Sequence, residues 1–308
     1  MKKLLSIDGG GMKGIFAASF LAELERHCKK PICKYFDLVC GTSTGAIIAS
    51  ALAMGIPAKT ILNMYMEKGK EIFPPKRRLP LLKAKYGSEP LKKALDEVFQ
   101  SSCIKDCKTR LLIPAYNLTS RKVRVFKTPH AEDLYFDKNS KIVDCLLATT
   151  AAPTYFSPHK MEGGVFIDGG VGANNPSLIA LVEGITRCGW DISDISLLSV
   201  GSVNELSPTT GDEKMGLLDA AKILNCFMNA ESRYAENICN IMLPKGQYIR
   251  VTQQVLPGEA SLDQATGKSM EKLKDWGTNA AMNCIADVKN MFFTDEIEDV
   301  TFYNLDNS

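Results

Sequence analysis

Several features that would assign this chain to a familiar class are missing. Its ten cysteines include no C-x-x-C pair, which argues against a zinc ribbon and favours free thiols in a reducing compartment. Its formal net charge is only +2 at pH 7, so no strong positive field points to DNA or RNA as a partner. No metal-ligand spacing stands out, and the sequence implies neither a metal nor a cofactor.

Long apolar runs are also missing. No segment approaches the ~20 apolar residues needed to cross a bilayer. The start, Met1-Lys2-Lys3-Leu4-Leu5, resembles the beginning of a secretory signal, but Asp8 and three glycines follow almost at once. The sequence therefore predicts a cytoplasmic protein.

One run, residues 36–48, combines an apolar strand, a G-x-S-x-G motif and an apolar helix. This is the setting of a nucleophile elbow, in which the serine stands on a sharp turn at the carboxyl end of a strand. Gly41 and Gly45 would allow strand and helix to approach closely. Ser43 is therefore the candidate nucleophile, and the N–H of Thr44 is a candidate donor beside it.

Two more glycine-rich turns follow strands. In the first, residues 4–15, the amides of Gly9, Gly10 and Gly11 would form an anion-binding concavity before a helix. In the second, residues 163–176, Asp168 comes at a strand end and is followed by Gly169 and Gly170. Asp8 is interpreted as a cap of the first loop.

The order of these elements predicts an α/β fold with three layers, a mostly parallel central sheet flanked by helices. Strand and helix patterns alternate through the first two hundred residues, and ligands in such sheets bind at the carboxyl ends of strands. We expect a catalytic core over residues 4–201. Residues 202–308 are expected to be a more helical completion of the same domain and a candidate for regulation.

The three histidines, His27, His130 and His159, all precede Asp168. The α/β-hydrolase order of a triad places the histidine after the acid, so that order is excluded if Asp168 is the acid. A direct Ser43–Asp168 dyad remains. Since a free aspartate has a pKa of ~3.9, burial would have to raise it for the carboxylate to act as a base.

Together these motifs resemble the patatin-like phospholipase family. The resemblance rests on the glycine loop ending in Lys13-Gly14, on Gly-Thr-Ser-Thr-Gly, on Ala-Ala-Pro-Thr-Tyr-Phe at 151–156 and on Asp168-Gly169-Gly170, and it covers roughly residues 4–201. It implies a calcium-independent lipid acyl hydrolase with Ser43 as nucleophile and Asp168 as base. The glycine loop would be the oxyanion hole, and Lys13 stands where family members carry Arg or Lys.

Within that family the opening of the chain is similar to bacterial effectors of anti-phage systems. Such effectors bind a cyclic oligonucleotide, become active and degrade the host membrane. The resemblance thus implies a cyclic di- or trinucleotide activator, transient contact with a phospholipid membrane, and peripheral localisation when active. It leaves an oligomer open.

Other interpretations compete with this one. A housekeeping lipase would need no nucleotide. A nucleotide-binding module could use the glycine loop, but the loop lacks P-loop spacing, and Gly267-Lys268-Ser269 lacks the required glycine at position 262. A catalytically silent scaffold is the third alternative.

Two further segments have both a structural and a functional interpretation. The loop containing Lys76, Arg77 and Arg78 interleaves cations with leucines, as a solvated loop or a membrane-docking loop would. The last helix carries Met270, Leu273, Trp276, Ala280 and Cys284 at helical spacing, which favours core packing over a membrane anchor.

Overall fold

The computed structural model describes residues 1–75, 84–205, 220–256 and 258–303, together with Leu305. The strands of the described part are β1 (Lys2–Ile7), β2 (Leu38–Gly41), β3 (Arg110–Asn117), β4 (Lys122–Lys127), β5 (His159–Met161), β6 (Gly164–Ile167), β7 (Ile195–Glu205) and β8 (Tyr248–Val255). Its α-helices are α1 (Gly14–Glu25), α2 (Thr44–Ala53), α3 (Ala58–Ile72), α4 (Glu89–Phe99), α5 (Ile142–Thr149), α6 (Gly170–Ala173), α7 (Ser177–Thr186), α8 (Ala220–Met242) and α9 (Gly267–Phe292).

The strands form one mixed sheet in the order β5-β6-β3-β2-β1-β7-β8, with β4 paired to β3. The central pairs β3–β2, β2–β1, β1–β7 and β7–β8 are parallel. The pairs that β3 makes with β4 and β6, and the β5–β6 pair, are antiparallel. The predicted sheet, mostly parallel at its centre, is confirmed.

Helices cover both faces of this sheet. Alternation along β1 sends Leu5 and Ile7 into the larger core, which also holds residues of α1, α2, α3 and α9. Leu4 points into a second core with residues of α7 and α8. The arrangement is the predicted three-layer α/β fold.

The C-terminal residues continue the sheet and the larger core. Strand β8 pairs with β7, while α9 packs along α1. Met270 and Leu273 are buried in the core and Trp276, Ala280 and Cys284 pack against it, so the prediction of a core helix is confirmed. A regulatory role of residues 202–308 stays a prediction, and so does the division of the chain at residue 201.

The structure also bears on the cysteines and on membrane crossing. All ten cysteines are unpaired, as expected for free thiols. In the part of the chain that the structure describes, no helix is both long and apolar enough to cross a membrane. Lys76, Arg77 and Arg78 lie outside the described residues.

Candidate active site

Ser43 and Asp168 meet at the carboxyl end of the parallel strands. The Ser43 hydroxyl donates a hydrogen bond of 2.6 Å from Oγ to Asp168 Oδ2, although 125 positions separate the two residues. Both side chains are buried. The other carboxylate oxygen, Asp168 Oδ1, accepts from the Gly170 N–H at 2.7 Å, which fixes the plane of the carboxylate.

Ser43 stands on a strained turn between β2 and α2. Its φ of 53° and ψ of −122° lie where L-residues are rare, and this strained turn directs the Ser43 hydroxyl toward Asp168. The turn is possible because positions 41 and 45 are glycines, which have no β-carbon. A β-carbon on Gly41 would clash with the Gly45 carbonyl oxygen, at a distance of 2.3 Å. On Gly45 it would lie 2.3 Å from the carbonyl oxygen of Ile7.

Burial raises the pKa of Asp168. Desolvation raises the pKa of its carboxyl to about 6, against the opposing hydrogen bonds from Ser43 and Gly170. A carboxylate with this pKa is still ionised at neutral pH, yet it is a far better proton acceptor than a free aspartate. The arrangement can therefore deprotonate the serine without a histidine.

The histidines lie elsewhere. His130 is buried between Thr128 and Glu183. His159 is on β5 beside Asp144, and His27 is beside Glu23. None of them contacts either residue of the dyad.

Backbone amides surround the space in front of Ser43. Gly9 donates its N–H to the Asn174 carbonyl at 3.1 Å, so this member of the predicted oxyanion hole is already engaged. Among the described residues, the N–H groups of Gly10, Gly11 and Thr44 have no hydrogen-bond acceptor. These three are the donors that remain for an oxyanion.

The other motif residues support the loops. Lys13 donates from Nζ to the Val203 carbonyl at 2.9 Å and ties the glycine loop to β7. Gly14 lies against Thr44 where α1 and α2 begin, and Gly169 lies against the Pro114 carbonyl of β3. None of these side chains contacts the Ser43 hydroxyl, so their contacts position the site.

The prediction from the sequence did not include two polar residues that support the site. Thr149 Oγ1 accepts from the Ser43 N–H at 2.9 Å and donates to the Pro114 carbonyl at 2.6 Å, which anchors the elbow. Arg250 binds both carboxylate oxygens of Asp8, so the interpretation of Asp8 as a loop cap is wrong. Thr149 lies two residues before the 151–156 segment and could have been suspected, whereas nothing in the sequence marks Arg250.

An apolar cleft leads to the dyad. Its walls include Tyr65, Phe73, Tyr155, Phe156, Met228 and Leu262, and Tyr155 and Phe156 come from the Ala-Ala-Pro-Thr-Tyr-Phe segment. The open volume is only about 50 Å³, far below the roughly 300–1,000 Å³ of ordinary ligand pockets. The cleft has the chemistry for an acyl chain but is nearly closed.

Several known proteins are similar to this chain. The family model of patatin-like phospholipases matches residues 5–181. A "cGAMP-activated phospholipase" of Escherichia coli is 35% identical over 91% of this chain and 88% of its own length. One of Pseudomonas aeruginosa, with the same description, is 33% identical over 92% of this chain and 89% of its own. The crystal structure of VipD from Legionella pneumophila covers 92% of this chain and 66% of that protein, with 14% identity and a TM-score of 0.49.

The family match spans more than half of the chain, and the full-length relatives exceed 30% identity. The matched region contains the glycine loop, the strained serine and the buried aspartate that meet in the structure. This chain belongs to the patatin-like phospholipase family of lipid acyl hydrolases.

Proposed function

We propose that this protein hydrolyses membrane phospholipids through a Ser43–Asp168 dyad, and that a cyclic oligonucleotide activates it during anti-phage defence. The 2.6 Å hydrogen bond between Ser43 Oγ and Asp168 Oδ2 carries the catalytic part of this proposal. The description of the bacterial relatives as cGAMP-activated, together with the nearly closed cleft, supports the activation part.

The geometry accounts for each step of acyl transfer. Ser43 Oγ attacks the ester carbonyl carbon while its proton passes to Asp168 Oδ2. The developing oxyanion accepts from the N–H groups of Gly10, Gly11 and Thr44, each donor being worth ~10²–10³ in rate in comparable sites. Collapse of this intermediate breaks the ester C–O bond, and the leaving oxygen of the lysophospholipid takes the proton from Asp168 to become a hydroxyl.

Deacylation repeats the sequence with water. Asp168 accepts a proton from a water molecule that attacks the acyl-enzyme, and Ser43 recovers its proton as the fatty acid leaves. The two side chains and the backbone donors supply every proton transfer and charge contact in this scheme. We therefore expect the reaction to be calcium-independent.

The test is fatty-acid release from phospholipid vesicles, with and without a panel of cyclic di- and trinucleotides, in EDTA. Wild type should release fatty acid only with an activating nucleotide. Ser43→Ala and Asp168→Asn should each lose activity by at least ~10³-fold. The matched control is Ser50→Ala, a buried serine of α2 away from the elbow, which should retain activity.

The outcomes separate the parts of the proposal. Release without nucleotide would keep the dyad and discard the activation. Full activity of Asp168→Asn would overturn the dyad. Loss of activity in EDTA that calcium restores would overturn calcium independence.

A further inference from the structure

A second cavity borders the glycine loop, and neither Ser43 nor Asp168 lines it. It has a volume of about 280 Å³ and lies between the carboxyl ends of β7 and β8 and one face of α8. Asp8, Gly9 and Lys13 contribute to its wall, so the loop that forms the oxyanion hole also borders this cavity. The catalytic scheme uses none of its polar side chains.

Three buried polar atoms in its wall lack a hydrogen-bond partner among the described residues. They are Asn174 Oδ1, Ser202 Oγ and Arg250 Nε. Asn174 and Ser202 are more than nine-tenths buried, and so is the side chain of Arg250. Arg250 Nε does have a carboxylate oxygen of Glu236 at 3.7 Å, which is an ion pair without a hydrogen bond. Unsatisfied buried groups are costly, so a polar ligand that shifts the cavity wall and reaches these atoms would gain hydrogen bonds that the wall itself does not supply.

The remaining wall is rich in carboxamides. Five of them face the cavity: Asn204, Asn225, Asn229, Asn237 and Gln254. The cations Lys13, Arg233 and Arg250 balance the carboxylates Asp8, Glu205 and Glu236, so the cavity has no net formal charge. A neutral wall of carboxamides suits the donor and acceptor edges of a nucleobase better than it suits bare phosphate groups.

We propose that this cavity is the activator site and that it receives one base and ribose of a cyclic dinucleotide, the other half lying at its opening. The inference rests on the proposed activation by a cyclic oligonucleotide and adds its location. The volume is just below the usual ~300–1,000 Å³ of small-molecule pockets, which fits part of such a ligand. Arg233 is exposed and stands where a phosphate at the opening would lie near it.

The two cavities share walls. Met228 of α8 and Leu262 line both the polar cavity and the apolar cleft. The Leu262 carbonyl also accepts from the Met12 N–H at 2.7 Å, directly after the glycine loop. A ligand that displaces α8 or the Leu262 segment therefore moves a wall of the acyl cleft and the support of the oxyanion donors together.

The experiment compares cGAMP binding, by calorimetry, and phospholipid hydrolysis in wild type, Asn229→Leu, Gln254→Leu and Asn240→Leu. Asn229 and Gln254 are exposed residues of the cavity wall, so both variants should fold. Thermal unfolding of each variant without nucleotide checks this. Asn240 is exposed on the same helix outside the cavity and is the matched control.

The cavity variants should each bind cGAMP at least about tenfold more weakly and need a correspondingly higher concentration for half-maximal activity. Asn240→Leu should match wild type. If both cavity variants fold and bind cGAMP as tightly as wild type does, the assignment of the site is overturned, while nucleotide activation stands. If wild type neither binds nor responds to any cyclic nucleotide, the activation itself fails and the site assignment falls with it.

Discussion

The side chain of Asp168 combines reactivity with a cost to folding. Its carboxyl is buried, and desolvation raises its pKa in the folded protein to about 6, above the ordinary value of 3.8. The folded state therefore holds this proton more tightly than the unfolded state does. Stability contributed by the group is present at low pH and is lost as pH rises through the window from about 4 to about 6.

Asp168→Asn should consequently be inactive yet more stable than wild type near neutral pH. Removal of the buried charge should raise the free energy of unfolding by about 1–3 kcal/mol at pH 8, and by much less at pH 4.5. Urea denaturation of both proteins at the two pH values measures this. An identical difference at both pH values would show that the charge is not the cause.

At the scale of the elements, α1 and α9 approach unusually closely. A β-carbon on Gly277 of α9 would lie 2.3 Å from the Phe16 carbonyl oxygen and 2.8 Å from Ser19 Cβ. The Ser19 hydroxyl donates to the Lys274 carbonyl at 2.8 Å across the same contact. Since α1 starts at Gly14, directly after the glycine loop, α9 helps to fix the position of that loop.

Gly277→Ala should therefore destabilise the protein by about 1–3 kcal/mol, because backbone must move to make room for the methyl group. Gly267→Ala, at the start of the same helix and with open space around it, should be neutral or slightly stabilising. Chemical denaturation of the two variants measures the contrast. Equal effects would mean that helix propensity, and not the interhelical contact, decides the outcome.

The sequence predicted the elements that carry strong local patterns. Strand–glycine–helix transitions placed Ser43 and Asp168 at strand ends, and the structure brings them together there. Helices α3 and α4 were not predicted, although their apolar residues recur on one face among many charges, the periodicity that is typical of an amphipathic helix. The Asp8–Arg250 pair joins residues 242 positions apart, and no local pattern encodes such a contact.

At the scale of the whole molecule, the structure has a complete dyad and a nearly closed route to it. The proposed oxyanion donors and the proposed base are in position, while the apolar cleft offers only about 50 Å³. The proposed activation would therefore open a space at the cleft and would not need to assemble the catalytic groups. The shared walls at Met228 and Leu262 are where that opening would occur.

Without a nucleotide, hydrolysis should fall steeply with acyl chain length. Acetyl and butyryl esters of p-nitrophenol should be hydrolysed slowly. The decanoyl ester should react at least about a hundredfold more slowly than the butyryl ester, because an open volume of about 50 Å³ has no room for the longer chain. An activating nucleotide should flatten this dependence. A flat profile in its absence would show that the cleft is already open.

The shared walls also constrain how such an enzyme can diversify. A substitution at Met228 or Leu262 that suits a longer or bulkier acyl chain also changes the wall of the polar cavity. Changes of lipid preference and changes of signal preference are then inherited together, and lineages that adopt a new messenger should carry altered fatty-acid selectivity as a by-product.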